Sequence, residues 1–184
     1  MTIRPWTVLD RRDISPSKWF PLFVERVRLP DGTEIDYYVS QLGDVSMVMP
    51  ITDKGEVVLV RQYKHGVLKV TLEFPAGRNN GEPEIGAQRE LVEETGARYV
   101  SLEHVGTTCS SPSKDSIKTF GYLALGVVLG GEQKLDPTED IEIVLVPLGK
   151  IEGMIMSGEI WCADTIVVYT LVRLKHPELF EAFG

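Results

Sequence analysis

The pattern of apolar and polar positions divides this chain into strand-like segments around one well-marked helix. The first forty-odd residues read as strands. Phe23-Val24-Glu25-Arg26-Val27-Arg28-Leu29 alternates partly, Pro30-Asp31-Gly32 supplies turn chemistry, and Glu34–Ser40 resumes with β-favouring residues, so a hairpin is expected over 22–40. Segments 45–51 and 56–62 are two further strands around Thr52-Asp53-Lys54-Gly55. Segment 70–74 is short and apolar and ends at Pro75-Ala76-Gly77; residues 78–81 read as a loop, and Tyr63 is expected in the core. The period then changes. Pro83 suits a first helical turn and Gly96 the position just past a last one, which predicts a helix over 84–95 with Ile85, Leu91 and Val92 turned inward. Strands are expected at 100–107, 119–129 and 141–146, and helices at 148–156 and, despite the β-branched Thr165-Ile166-Val167-Val168, at 164–175. Strands surrounding a few helices make an α+β fold, a mixed or antiparallel sheet with helices packed on it.

Composition narrows the class. The 184 residues suit one domain, or a domain with a small appendage. With 27 acidic against 19 basic side chains the net charge is −8, which argues against binding extended nucleic acid, because that needs a basic face to displace counterions. No apolar run approaches the ~20 residues of a membrane helix, and the first 13 residues hold no signal-peptide core. Cys109 and Cys162 have no metal-type spacing; each is expected to be a buried, reduced thiol, and a cytoplasmic location follows. The three histidines form no motif.

Candidate chemistry concentrates in Arg89-Glu90-Leu91-Val92-Glu93-Glu94-Thr95-Gly96. On a helix Glu90 stands at i, i+3 to Glu93 and at i, i+4 to Glu94, and like charges so placed weaken an isolated helix by a few tenths of a kcal/mol per pair. A solvated acidic face would tolerate this cost. Hard divalent cations would offset it, since Mg²⁺ and Mn²⁺ prefer carboxylate, carbonyl and water oxygens.

These residues resemble the signature of the Nudix hydrolase family, G-x5-E-x7-R-E-U-x-E-E-x-G-U with U aliphatic. Arg89 to Gly96 matches fully, and Ala97 takes the final aliphatic place. Gly77 and Glu82 match the first half, although the gaps from Gly77 to Glu82 and from Glu82 to Arg89 are each one residue short. Upstream, Arg61-Gln62-Tyr63-Lys64 and Glu73-Phe74-Pro75-Ala76-Gly77 resemble the ADP-ribose pyrophosphatase and nucleoside-diphosphate-sugar hydrolase branch. The resemblance implies a Nudix-type α/β/α sandwich with a mixed sheet over 44–184. It also implies a strand-rich N-terminal segment over 1–43 that serves dimer contact and substrate binding.

The activity implied is Mg²⁺-dependent hydrolysis (Mn²⁺ substituting) of a nucleoside-diphosphate sugar of ADP-ribose or GDP-mannose type, giving a nucleoside monophosphate and a sugar phosphate. Carried over residue by residue, the metal ligands are the Ala76 carbonyl, Glu90 and Glu94, with Glu93 a ligand or water-orienting group. Arg89 is expected to orient Glu82 or Glu93. Glu139, just before a strand, is the first candidate for the base that activates water; Glu142 is the second, and a carboxylate of the signature remains a third. Arg61 and Arg78 are candidates for phosphate, Glu73 for the sugar side, and Trp6 (with Trp19) for stacking on the base, core or dimer packing being the alternative for both rings. Ser111 belongs to Ser110-Ser111-Pro112-Ser113, where this branch often shows S-P-G and a nearby Glu; Ser113 replaces the Gly, which leaves room for a sugar other than ribose.

Two other readings stand beside this one. The first is a Nudix hydrolase of another substrate, such as a dinucleoside polyphosphate, a coenzyme or an RNA 5′-end. The second is a non-catalytic binding module on the same scaffold. A homodimer is expected, with no membrane partner. The acidity itself is local. Residues 73–94 carry six acidic against two basic side chains, and residues 136–142 carry four acidic and none basic, which together account for the net −8.

Overall fold

Strand β4 (Val45–Thr52) is buried on both faces, and those faces define the layers. In the computed structural model, which describes residues 2–183, Met47, Met49 and Ile51 pack with Phe74, Leu148, Ile151, Val168 and Val172. Val48, between them in sequence, packs with Val58, Ala87, Leu91 and Tyr122. The period of two along a strand sends neighbouring residues into opposite cores.

β4 sits at the centre of a seven-stranded mixed sheet. The order is β10 (Ile141–Pro147), β5 (Glu56–Lys64), β4, β9 (Thr119–Val127) and β8 (Ser101–Thr108), with β6 (Lys69–Glu73) beside β5 and β7 (Ala76–Arg78) beside β4. Only the β4–β9 pair is parallel among the described residues. Helix α1 (Pro83–Thr95) covers one face. Helices α2 (Leu148–Ser157) and α3 (Ala163–Lys175) cover the other, where α4 (Pro177–Phe183) adds Leu179 and Phe180. This is the α+β, helix–sheet–helix arrangement expected from the sequence. No helix among the described residues is long and apolar enough to cross a membrane.

α1 begins with Pro83 and ends where Gly96, at φ +63°, turns left-handed and donates its N–H to the Val92 carbonyl at 2.8 Å. Its inward stripe is Gly86, Ala87, Glu90, Leu91, Glu94 and Thr95. Leu91 is inward as expected, but Ile85 and Val92 are 58% and 41% exposed. The small Gly86 and Ala87 let the helix approach the sheet closely and turn that stripe, acids included, toward the core. Apolar periodicity alone places Ile85 and Val92 on the wrong side.

Three further expectations are corrected. Residues 76–78 form a strand, β7, paired with β4 from Val45–Arg78 to Met47–Ala76. Tyr63 is 52% exposed, because β10 pairs with β5 only as far as Gln62 and the ring meets His65 at the sheet margin. Cys109 lies just past β8 and is exposed, whereas Cys162 is half-buried. The short α4 is an addition that the sequence pattern does not announce.

A second compact unit comprises the residues up to Gly43 together with Ser111–Ile117. Its antiparallel sheet runs β1 (Thr7–Asp13), β2 (Leu22–Arg28), β3 (Glu34–Ser40). The β2–β3 hairpin is closed by the Leu29 N–H donating to the Thr33 carbonyl at 2.8 Å, with Gly32 at φ +91° in the turn. Ser40 donates its N–H to the Lys114 carbonyl at 2.9 Å, tying residues 111–117 to β3.

Gly86 is where α1 meets the loop leaving β7. A Cβ there would stand 2.7 Å from the Asn79 Cα. Alanine gains about 1 kcal/mol of helix propensity, but overlap with backbone costs roughly 1–3 kcal/mol. Urea unfolding of Gly86→Ala is expected to show a net loss of stability; a gain would mean that the loop gives way freely.

Candidate active site

Helix α1 carries its carboxylates into the core. Glu90 and Glu94 are only 8% and 4% exposed. Glu94 Oε2 accepts the Ala76 N–H at 3.0 Å, which joins the last turn of α1 to the first residue of β7. Next to it, a Cβ on Gly77 would fall on the Glu90 carboxylate, so glycine at 77 is what leaves room for that side chain. The shortened signature thus keeps both of its glycine functions, a close approach at Gly77 and a left-handed cap at Gly96.

Arg89 supplies the countercharge. Its Nη2 lies 2.7 Å from Glu90 Oε1 and its Nη1 lies 3.3 Å from Glu93 Oε2, while Nη2 also donates to the Arg78 carbonyl. Of the two partners expected, Arg89 meets Glu93, and it holds Glu90 more closely. Glu82 instead occupies the N-cap position of α1, and its side chain caps no N–H.

A cavity of about 410 Å³ opens beside this cluster, lined by Gly77, Arg78, Asn80, Arg89, Glu90, Glu93, Lys134, Asp136 and Glu139. Glu139 reaches it from the loop before β10, where its carboxylate accepts the Asp136 N–H at 2.9 Å and its own N–H donates to the Asp136 carbonyl at 2.9 Å. Lys134 is missed by sequence reasoning, since nothing in its local pattern separates it from any surface lysine.

The electrostatics follow from burial. Desolvation pushes the Glu90 carboxyl above the usual range; Arg89 opposes this, and the charges of Glu93 and Glu139 add to it. Burial pushes Glu94 up to about 8, against the Ala76 N–H and with the Glu90 charge adding. Closely spaced carboxylates that resist ionisation suit a cation that would restore their charge. The donors present (Glu90, Glu93, Glu94 and the backbone at Ala76) are all hard oxygens, which fits Mg²⁺ or Mn²⁺ and does not fit softer metals. Among the described residues no three His, Cys, Asp or Glu side chains converge into a ready-made ligand set. Arg89 occupies Glu90 and Glu93 in their place.

The remaining candidates are distributed as follows. Arg61 and Glu142 are directly opposite on β5 and β10 and pair with each other at 2.8 Å, so a phosphate candidate and a base candidate neutralise one another on the sheet. Glu73 accepts the Cys162 thiol at 3.0 Å, has Lys64 Nζ at 3.8 Å, and lines a separate cavity of about 480 Å³. Ser111 and Trp6 lie in the N-terminal unit, where the Ser111 carbonyl accepts the Lys114 N–H at 3.0 Å and Trp6 meets Tyr37 edge-on at 5.5 Å.

These contacts can be tested at Gly77 and at the cysteines. Gly77→Ala should fold with near-normal stability, because the overlap falls on a side-chain terminus. It should nonetheless lose most of its divalent-cation affinity by calorimetric titration, and unchanged affinity would show that the Glu90 position is not critical. Burial and Glu73 push the Cys162 thiol up to about 12, so its thiolate is scarce at any working pH. Iodoacetamide at pH 8 should alkylate Cys109 well before Cys162, as mass spectrometry of the digest would read; the reverse order would contradict the Glu73 contact.

Comparison with known proteins bears on the family. Residues 42–161 match the NUDIX domain, and residues 6–40 match the nucleoside diphosphate sugar hydrolase N-terminal domain. The chain is 29% identical over 170 residues to an ADP-ribose pyrophosphatase of Bacillus subtilis (strain 168), covering 91% of this chain and 92% of that protein. It is 27% identical to a methanol dehydrogenase activator of Bacillus methanolicus, covering 84% and 85%. It is 28% identical to an ADP-ribose pyrophosphatase of Mycobacterium tuberculosis (strain ATCC 25618 / H37Rv), covering 77% and 70%. A crystal structure of an ADP compounds hydrolase shares the fold at a TM-score of 0.84 with 22% identity, covering 97% of both chains. With its signature carboxylates, domain match and fold in agreement, the chain is a member of the Nudix hydrolase family, a group that works with divalent metal ions, and is a pyrophosphohydrolase.

Proposed function

We propose that this chain hydrolyses the diphosphate bond of a nucleoside-diphosphate sugar, ADP-ribose first and GDP-mannose as the related alternative, releasing a nucleoside monophosphate and a sugar phosphate. The observation that carries the reading is the cavity lined together by Glu90 and Glu93 of α1, Glu139 of the loop before β10, Arg78 and Lys134. The match of residues 6–40 and the two relatives named ADP-ribose pyrophosphatase support the substrate class.

Glu90, Glu94 and the Ala76 carbonyl, with Glu93, would hold Mg²⁺. When bound, that ion neutralises charge on phosphoryl oxygens and makes a coordinated water more acidic. Arg89 holds Glu90 and Glu93 in orientation. Glu139 is the base that takes the proton of the attacking water; it is favoured over Glu142, whose carboxylate is committed to Arg61. Arg78, which lines the cavity, is the candidate to bind a phosphate oxygen. Arg61, Glu73, Ser111 and Trp6 remain the candidates for the rest of the substrate.

The chain is further proposed to work as a cytoplasmic homodimer through its N-terminal unit. In support, Trp6, Trp19, Phe20 and Tyr38 of that unit are 46%, 69%, 45% and 52% exposed, and buried aromatics are enriched in interfaces. Both cysteines are free thiols.

The test is a substrate panel with Mg²⁺, covering ADP-ribose, GDP-mannose, a diadenosine polyphosphate and a capped RNA 5′-end, with products identified by mass. ADP-ribose should give AMP and ribose 5-phosphate, EDTA should abolish turnover, and Glu139→Gln should lower kcat by roughly 10²–10⁴-fold. Preference for the polyphosphate or RNA substrate, or full rate in Glu139→Gln, would overturn the corresponding part of the proposal. Sedimentation of the full chain should give a dimer; a monomer would refute the assembly.

A further inference from the structure

The last carbonyls of a helix have no partners within it and must find them elsewhere. At the end of α1 they are taken by the segment that leads into the Glu139 loop. Gly131 donates its N–H to the Gly96 carbonyl at 3.1 Å, and Lys134 donates its N–H to the Glu93 carbonyl at 2.8 Å. Between them, the Gln133 side chain donates through Nε2 to the Glu94 carbonyl at 2.7 Å. The same amide nitrogen donates to the Ile141 carbonyl at 3.3 Å, at the first residue of β10.

Gln133 therefore joins two carbonyls from the start of the loop. It stands at the start of the loop, it bonds to the residue at the loop's end, and it bonds to the helix residue that bears a buried carboxylate. The loop it closes holds Asp136 and Glu139, whose mutual hydrogen bonds tie the two residues together. At this point backbone meets backbone. A Cβ on Gly96 would fall on the Gly131 carbonyl, and one on Gly131 would stand 2.5 Å from the Gly96 carbonyl oxygen. Glycine at both positions permits the approach, and Gln133 fixes where the loop goes next.

We propose that Gln133 is the positioning residue for Glu139, setting its carboxylate against Glu90 and Glu93 by clamping the neck of the loop to the end of α1. This rests on Glu139 being the base. Gln133 itself does not line the cavity, so it acts through the backbone it holds, and an unchanged Mg²⁺ titration separates the loop from the Glu94 side of the clamp.

The test is a double-mutant cycle on the full chain, with ADP-ribose and Mg²⁺, using Gln133→Met, Glu139→Gln and both together. Methionine keeps the length of the side chain and removes the donor. Gln133→Met should lower kcat by roughly 10- to 100-fold, as a base displaced by about 1 Å does, while KM and the Mg²⁺ titration midpoint stay within about twofold. In the Glu139→Gln background it should change kcat no further. Gln133→Lys, which keeps a donor within reach of both carbonyls, should retain most of the wild-type kcat. Full kcat in Gln133→Met alongside an impaired Glu139→Gln overturns the positioning role alone. An equal loss in both backgrounds, or an equal loss in Gln133→Lys and Gln133→Met, assigns Gln133 to general stability and also overturns it. Full rate in Glu139→Gln removes the base assignment, and the positioning role with it.

Discussion

Two carboxylates buried on the sheet-facing side of one helix set the terms for the rest of the molecule. Glu90 and Glu94 lie one helical turn apart, with little exposure and with Glu93 beside them. An ionised carboxylate taken out of water costs several kcal/mol unless partners replace the lost solvation. Around these two, each neighbour does so in part. The Ala76 N–H meets Glu94, the Arg89 guanidinium meets Glu90, and burial still pushes both carboxyls upward. The remaining deficit is the chemical invitation to a hard divalent cation, and through it to a diphosphate. Acidity that disfavours nucleic-acid binding over the whole chain is, at this one place, what would suit a cation-held phosphate in the proposed reading.

Holding carboxylates there constrains the backbone more than the side chains. Gly77 yields its volume to the Glu90 carboxylate, Gly86 lets α1 ride against Asn79, and Gly96 and Gly131 allow the helix end and the acidic loop to touch. These close approaches connect β7 and α1, which are neighbours in sequence, to the distant loop before β10, and each contributes to the cavity wall. β4 anchors the arrangement by pairing with β7 on the site side and by filling both cores. Local substitutions at these glycines are therefore felt as displaced functional groups as well as lost packing.

Much of this is legible in the amino-acid sequence alone. Pro83 and Gly96 bracket α1 within a residue, because helix ends have strong local chemistry. The acidic spacing and the upstream Glu73-to-Gly77 stretch point to the family. What is not legible depends on approach between elements. Ile85 and Val92 have the periodicity of an inward face, yet Gly86 and Ala87 win it because small residues allow closer packing. β7 looks like a loop because its strand character comes from pairing with β4. Arg61 and Glu142 look unrelated in sequence until the β5–β10 register sets them opposite one another. Gln133 carries no motif at all; its importance appears only once the loop is seen closed on the helix.

If the buried carboxylates form the cation site, the ion should stabilise the folded chain through them. The most direct measurement is the shift in Tm between EDTA and saturating Mg²⁺, for the wild-type chain and for Glu94→Gln. The wild-type chain should show a saturable rise that Glu94→Gln largely loses. No rise in the wild type, or an equal rise in both, would contradict the assignment.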